Sequence, residues 1–309
     1  MRKLAAGLAG MMVGVGFSAQ ALAAELLGQP TPDYIGLQQA ASPLKHSAIF
    51  FHDAILMPII TAISVFVAIL LGIIVVRFNK KSNPVPAKFS HNTALEVAWT
   101  LIPVGILLFI SIFSFKLLFA YHDMPKPDLT VKATGYQWYW GYTYPDQKID
   151  EITSVMLSEA DAKKEGRPYR LAADNSLVVP VGKVVKVLVT GSDVIHNFAM
   201  PAFGLKTDAI PGRINETWFK AEKTGMFYGQ CSELCGVDHA FMPIQIKVVT
   251  QEEFDAWVLT KAPPAAAAPA VTPVATPAAP AAPAAPAPAA PAPQKTAQLD
   301  VAAKPVAMN

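Results

Sequence analysis

The chain has 309 residues, of which 52% are hydrophobic and 16% are charged, and its formal net charge is +2. This near balance excludes the strongly basic class of nucleic-acid-binding proteins. The chain has two cysteines and no Cys-x-x-Cys-His sequence, which excludes a covalently attached c-type haem.

The N-terminus has the pattern of a secretory signal peptide. Arg2 and Lys3 precede an apolar run over residues 4–17, and small residues follow at 21–23. The alternative is a first membrane anchor, but the run is short for a spanning helix. We predict a signal peptide over residues 1–24.

Two longer apolar runs follow. Residues 54–76 and 97–115 contain no charged residue, and each is long enough to cross the roughly 30 Å hydrocarbon layer as a helix. We predict transmembrane helices over residues 53–77 and 95–119, surrounded by membrane lipid.

The loop between the two runs, residues 78–94, sets the orientation. It contains Lys80, Lys81 and Lys88, and no acidic residue occurs before Glu96. By the positive-inside rule the loop is cytoplasmic. The segment 25–52 and the large C-terminal part are then periplasmic.

Between about residues 128 and 249, short β-branched runs alternate with Gly, Pro, Asn and Asp, which is typical of strands and turns. The strand candidates are Leu177–Pro180, 183–190, 214–221, 226–230 and Pro243–Val249. The pattern predicts an all-β sandwich or barrel. Thr250 and Glu253 then form a capping box that predicts a short helix to about residue 259.

The C-terminal stretch, residues 261–309, is dominated by alanine and proline as far as Pro293. Such a composition offers too little apolar side chain to offset the entropy of ordering. We predict a disordered tail.

Metal-binding side chains are concentrated between residues 231 and 242. Cys231, Cys235, His239 and Met242 lie on one short segment, and His196 lies upstream. Thiolate, thioether and imidazole suit copper, whereas zinc rarely uses methionine. The alternative is a disulfide between the only two cysteines, which an oxidising compartment would favour. The accompanying His and Met residues favour copper.

Together with this loop, four further runs give the chain a resemblance to subunit II of the haem-copper cytochrome c oxidases. The runs are residues 96–103, 135–140, 204–213 and 227–231, and the resemblance extends over about residues 45–258. It implies a two-helix transmembrane hairpin followed by a cupredoxin-like Greek-key barrel over residues 122–260.

The resemblance also implies a function. Such a subunit accepts electrons from cytochrome c and passes them to haem in subunit I, where oxygen is reduced to water with proton pumping. Nothing in this chain resembles an oxygen-reduction site, so the activity would belong to a complex with subunit I and subunit III in the bacterial inner membrane.

The metal ligands follow from the same resemblance. The expected cofactor is copper A, a dinuclear copper centre. Its ligands would be bridging thiolates from Cys231 and Cys235, one imidazole each from His196 and His239, and weaker donors from Met242 and the Glu233 carbonyl. The Glu233 side chain would bind Mg or Mn at the boundary with subunit I, since carboxylates suit hard cations.

By resemblance, Trp138 is the electron entry point, and Gln137 and Tyr139 flank it. The alternative for such an aromatic run is a strand core or an interfacial belt, and we interpret Trp140 as core. Glu96 would mark the mouth of a proton path, although an acid at this depth is often merely interfacial.

Charge is consistent with a basic electron donor. Residues 122–260 contain 14 Lys and Arg against 18 Asp and Glu, a formal charge of −4, and a negative surface can steer a lysine-rich carrier. The expected docking acids are Asp174, Asp193 and Glu233. Asp208 and Arg213 either face subunit I, as the resemblance implies, or form an ordinary ion pair.

Three other classes share parts of this pattern. A quinol oxidase subunit II typically lacks the copper ligands, and a nitrous oxide reductase is soluble with a separate catalytic domain. A copper chaperone or a disulfide-stapled adhesion module would need labile or absent metal. The two-helix anchor and Trp138 argue against this last class.

Overall fold

The computed structural model describes residues 27–31 and 35–261. Two long helices come first: α1, Pro43–Arg77, and α2, Thr93–His122. The predicted signal peptide and the alanine-proline tail beyond Lys261 lie outside the described residues.

Side-chain caps determine where both helices begin. The Ser42 hydroxyl accepts a hydrogen bond from the Lys45 N–H at 3.2 Å, and Pro43 occupies the first helical turn. α1 therefore begins ten residues before the predicted span at 53. In α2, Asn92 caps Leu95 at 3.2 Å, and the Glu96 carboxylate accepts from the Asn92 N–H at 3.3 Å. This reciprocal pair resembles a capping box, with the glutamate one position later in the helix.

Apolar side chains cover both helices and remain exposed. The apolar stretches of α1 and α2 are long enough to cross a membrane, and neither is buried within the described part of the chain. Such surfaces require lipid or partner helices around them.

The C-terminal part is an all-β sandwich of ten strands. They are β1 Leu129–Tyr136, β2 Tyr139–Tyr144, β3 Ile149–Ser154, β4 Leu177–Pro180, β5 Val184–Gly191, β6 His196–Met200, β7 Leu205–Ala209, β8 Asn215–Lys220, β9 Gly225–Cys231 and β10 Pro243–Val249. Two shorter helices complete it, α3 Glu159–Lys164 and α4 Gln251–Lys261.

The strands form two five-stranded sheets. Their orders are β3-β2-β1-β5-β8 and β4-β10-β9-β6-β7. Two neighbouring pairs, β1 with β5 and β4 with β10, are parallel, and all the others are antiparallel. This arrangement confirms the predicted hairpin followed by a cupredoxin-like β domain.

The core lies between the sheets. Strand β5 alternates strictly, with Val185, Val187 and Val189 fully buried. The Tyr144 hydroxyl donates to the Val178 carbonyl at 2.9 Å and accepts from its N–H at 2.7 Å. This pair of bonds fixes β2 of one sheet against β4 of the other.

Helix α4 covers the core at its edge. Thr250 and Glu253 exchange the two bonds of the predicted capping box, at 2.9 and 3.3 Å. Phe254 is buried, and Trp257 packs on the Tyr144 ring at 5.0 Å. The helix therefore belongs to the sandwich.

Hydrogen bonds connect the anchor to the sandwich. The Ser42 hydroxyl donates to the Phe203 carbonyl at 2.8 Å, and the Trp218 indole donates to the Tyr121 carbonyl at 3.1 Å. Both helices are thus fixed to the β domain at their ends nearest to it.

Strand direction brings distant residues to one edge. Because β9 is antiparallel to both β6 and β10, its end lies beside the start of the other two strands. His196 begins β6, Cys231 ends β9, and Met242 immediately precedes β10.

Candidate metal centre

Soft donor atoms converge at this edge. The sulfur of Cys235 lies 3.8 Å from that of Cys231, 3.5 Å from His239 Nδ1 and 3.5 Å from the Met242 sulfur. Ligand atoms of His196, Cys231 and Cys235 all lie within 4.8 Å of one another.

The backbone supplies a further donor. The Glu233 carbonyl lies 3.4 Å from the Cys231 sulfur. The Glu233 side chain is exposed, so it points away from the sulfurs while its carbonyl faces them. All six predicted ligands therefore lie in one cluster.

The Asp193 carboxylate, predicted from the sequence only as a docking acid, orients His196. The Nε2 of His196 donates to Asp193 at 2.8 Å, and the His196 side chain is fully buried. Nδ1 is buried without a hydrogen-bond partner. A histidine held through one nitrogen with the other left free is the usual arrangement of a metal ligand.

Asp193 is held by the same contacts. Burial would raise the pKa of Asp193, but hydrogen bonds from His196 and from the backbone N–H groups of Val194 and Gln137 bring it below its usual value. The Gln137 N–H donates at 2.7 Å and the Val194 N–H at 2.7 Å. The carboxylate is thus ionised at neutral pH.

The two thiols differ in acidity. Burial would raise the pKa of Cys231, but the His196 imidazole and the Asn197 N–H lower it to about 7. Burial and the neighbouring Cys231 raise the pKa of Cys235 to about 12. The two thiols thus titrate as a coupled pair, in which loss of the first proton raises the pKa for loss of the second, and a bound cation would favour the loss of both.

These residues fit a copper centre. Both cysteines are free, with their sulfurs 3.8 Å apart, beyond the roughly 2.05 Å of a disulfide. Two thiolates, two imidazoles, a thioether and a carbonyl form a soft set that suits copper. The free Nδ1 of His196 points to the same use.

Gln137 and Trp138 contact the loop that carries the two cysteines. The Trp138 indole donates to the Cys235 carbonyl at 3.2 Å, and the Gln137 amide donates to the same oxygen at 3.0 Å. Trp138 is half-buried and Gln137 is exposed. Trp138 therefore extends from the surface to the backbone of a cysteine.

Trp140 is core, as predicted, and also contacts the site. It is fully buried, donates from its indole to the Met242 carbonyl at 3.3 Å, and meets the His196 ring edge-on at 6.1 Å. Neither contact was predicted, since Trp140 is far along the chain from both Met242 and His196.

The remaining predicted residues lie elsewhere. Tyr139 stacks on Tyr136 at 4.6 Å, and Asp174 is exposed and accepts from the Val155 N–H at 2.8 Å. Asp208 accepts from the Asn197 amide at 2.6 Å. The suggested Asp208–Arg213 ion pair is wrong: Arg213 makes no ion pair within 4 Å among the described residues.

Two family models match the chain and together cover more than half of it. Residues 30–117 match the transmembrane domain of cytochrome c oxidase subunit II, and residues 129–249 match its periplasmic domain. The chain belongs to the cytochrome c oxidase subunit II family.

Relatives in this family are similar over most of their length. Cytochrome c oxidase subunit 2 of Cereibacter sphaeroides is 44% identical over 82% of this chain and 89% of the relative. A probable cytochrome c oxidase subunit 2 of Rickettsia conorii is 51% identical over 75% of this chain and 73% of the relative.

A solved structure is also similar. It is the periplasmic domain of subunit II of cytochrome oxidase from Bradyrhizobium japonicum, with 63% identity. The match covers 45% of this chain and 96% of the solved one, with a TM-score of 0.42.

The family models and the structure agree on the topology of the chain. The matched domains are described as transmembrane and periplasmic, and the structure has two apolar helices followed by the β domain. The chain is a membrane protein with a C-terminal periplasmic domain and a candidate metal site in that domain.

Proposed function

We propose that this chain is the electron-entry subunit of a respiratory cytochrome c oxidase of the bacterial inner membrane. It would accept electrons from cytochrome c at a copper A centre and pass them to haem in subunit I, where oxygen is reduced to water with proton pumping. The observation that carries the proposal is the convergence of three sulfurs, two imidazoles and one carbonyl on the loop that Trp138 contacts.

In this proposal each residue of the cluster has a defined task. The thiolates of Cys231 and Cys235 and one nitrogen each of His196 and His239 would hold the copper, with Met242 as a weaker donor. The Glu233 carbonyl is the other weaker donor. When bound, a dinuclear copper centre supplies a one-electron relay.

The protein keeps these donors in a fixed and dry arrangement. Phe198 is fully buried beside Cys231, and Cys235 and Met242 are almost fully buried. His196 and Cys231 lie at the ends of paired strands, and Met242 immediately precedes β10. A rigid ligand set that suits both oxidation states keeps structural change on electron transfer small.

Trp138 provides the path to the surface. Its ring is partly exposed on one side, and its indole N–H bonds to the Cys235 carbonyl on the other. The proposed docking surface for cytochrome c includes this ring. It comprises Gln137, Trp138, Tyr139, Asp174, Asp193 and Glu233.

The decisive test is copper loading of the soluble head, residues 122–260, with both cysteines reduced. We expect two coppers per chain that share one unpaired electron, seen by metal analysis, near-infrared absorption and EPR. Met242→Leu is the matched control, which should keep both coppers but alter the spectrum. One copper with an ordinary single-site spectrum, or none and a disulfide, would refute the proposal.

A second metal ion is proposed at Glu233. Its exposed carboxylate lies beside the copper cluster and would bind Mg or Mn together with residues of subunit I. In the purified complex, Glu233→Gln should lose the EPR signal of bound Mn. Asp238→Asn, on the same exposed loop, should retain it; equal retention in both variants would exclude the role.

A further inference from the structure

A groove lies between the two membrane helices, apart from the metal centre. Its volume is about 390 Å³. From α1 it is lined by Phe50, Phe51 and Ile55, and from α2 by Phe113, Lys116 and Leu117. These six residues define what we call the interhelical groove.

Helical periodicity explains why these residues face one another. Phe113, Lys116 and Leu117 follow the i, i+3, i+4 spacing that places side chains on one helix face. On α1, Phe51 and Ile55 belong to a π-helical turn, Phe51–Leu56. Turns of this kind are uncommon and occur frequently at functional sites.

The groove lies at the depth of lipid head groups. Glu96 stands at the cytoplasmic start of α2 by the positive-inside rule. Lys116 is 20 positions further on, 116 − 96, which corresponds to about 30 Å of helix. Since the hydrocarbon layer is about 30 Å thick, Lys116 lies at the periplasmic boundary.

A lysine without an ion-pair partner lies at the mouth of the groove. Lys116 is exposed and has no ion-pair partner within 4 Å among the described residues. His46, also at the groove, bonds instead to the Glu222 carboxylate at 3.0 Å. The Lys116 ammonium is therefore available to an anion above an apolar floor.

We propose that the interhelical groove binds an anionic phospholipid of the periplasmic leaflet, of the phosphatidylglycerol type. The phosphate contacts the Lys116 ammonium, and an acyl chain lies along Phe51, Ile55 and Phe113. Basic pockets between transmembrane helices bind anionic head groups in this way. An apolar helix of a partner subunit would offer the Lys116 ammonium no anionic group, whereas a lipid head group supplies a phosphate.

The test uses the complex purified from membranes and reconstituted in vesicles. The vesicles contain photoactivatable phosphatidylglycerol or, in a parallel arm, photoactivatable phosphatidylcholine, and labelled peptides are mapped by mass spectrometry. In the wild type we expect phosphatidylglycerol to label the peptide around residues 113–117, with markedly weaker labelling by phosphatidylcholine.

Variants then examine the lysine itself. Lys116→Met should reduce phosphatidylglycerol labelling about fivefold, as expected for one lysine charge near a membrane surface. Lys116→Arg should retain it. Lys81→Met, which removes the same charge on the cytoplasmic side, should leave it unchanged, and copper content provides the check on folding.

Three results would overturn the inference. Equal labelling by both lipids would mean that the head group is not recognised, and unchanged labelling in Lys116→Met would exclude the lysine. Absence of lipid label in the wild type, with cross-links from the groove to another polypeptide, would show that a protein helix occupies it. The wild-type comparison decides the matter even if a variant fails to accumulate.

Discussion

Asp193 is the residue whose role changes most between sequence and structure. As a docking acid it would act through its charge at long range, but its two oxygens also accept bonds from Gln137, Val194 and His196. An asparagine offers one acceptor oxygen and would turn an N–H toward one of these donors. The residue should therefore affect both cytochrome c binding and the geometry of His196.

We predict that Asp193→Asn lowers the rate of cytochrome c oxidation at low ionic strength and that part of this loss persists in high salt. The persistent part should accompany a changed copper EPR spectrum. Asp174→Asn is the control, and its effect should fade with salt because only charge is lost. Full recovery of Asp193→Asn in salt, with an unaltered spectrum, would leave docking as its sole role.

A second prediction concerns the single residue Trp138. Trp138→Phe removes the hydrogen bond to the Cys235 carbonyl and shortens the ring, while every copper ligand stays in place. The rate of electron entry, measured by rapid mixing with reduced cytochrome c, should fall by more than about tenfold, with copper content and EPR unchanged. Tyr139→Phe should stay near the wild-type rate, and a similar loss there would point to a general surface effect.

Among the structural elements, the turn at Gly236 keeps Trp138 against the cysteine loop. Gly236 has φ +123°, and a Cβ there would lie 2.9 Å from the Trp138 ring. Gly236→Ala should displace the indole and slow electron entry, which tryptophan fluorescence and rapid mixing would detect.

The control for this turn is Gly182→Ala. Gly182 also has positive φ, +72°, but nothing lies within 4 Å of its Cβ position. The cost should be about 1 kcal/mol of stability from backbone strain, with electron entry unaffected. Equal slowing in both variants would mean that strain alone, and not the contact with Trp138, was responsible.

At the start of α2, a substitution can separate the effect of the Glu96 charge from the effect of its capping hydrogen bond. The carboxylate caps the helix through the Asn92 N–H, and glutamine can make the same bond. Glu96→Gln should therefore preserve the thermal stability of the complex and lower turnover and proton pumping. Wild-type turnover and pumping would leave Glu96 with capping alone, and Glu96→Ala would measure what the cap contributes.

The elements that could be predicted are those specified by local sequence. Uncharged runs marked both membrane helices, and strict alternation or β-branching marked β5 and β10. Strands β1, β2, β3, β6 and β7 were not predicted. In β1, the buried residues Leu129, Val131 and Ala133 alternate with Thr130 and Lys132, but the run has no long apolar stretch, and its pairing with β2 and β5 stabilises it.

The site was predictable to the same extent. The spacing of Cys231, Cys235 and His239 predicted the cluster of donor side chains because these residues share one loop. The bonds of Asp193 to His196 and of Trp140 to the Met242 carbonyl were not predicted, since they depend on strand pairing and side-chain direction. Periodicity contains no information about such contacts.

For the molecule as a whole, the described structure ends with α4, and every proposed metal ligand precedes it. A chain truncated after Lys261 should keep its copper content and its melting temperature. The comparison is truncation after Val249, which removes Phe254 and Trp257 from their packing on Tyr144. Loss of a buried aromatic of this kind costs about 3–5 kcal/mol, so this shorter chain should unfold at clearly lower temperature. If the chain truncated after Lys261 melted at a lower temperature than the full chain, the tail would have a structural role.

The short ladder between β6 and β9 has a consequence for how the protein matures. Only two registered pairs join these strands, Phe198 with Cys231 and Ala199 with Gln230, and they bring His196 to a loop distant from it in sequence. Such non-local pairing forms late in folding, because the intervening chain must close first. The complete donor set therefore does not exist in the nascent chain. If the proposed copper centre forms, we therefore expect copper to enter after the domain has folded, so that metallation follows translocation and strand pairing.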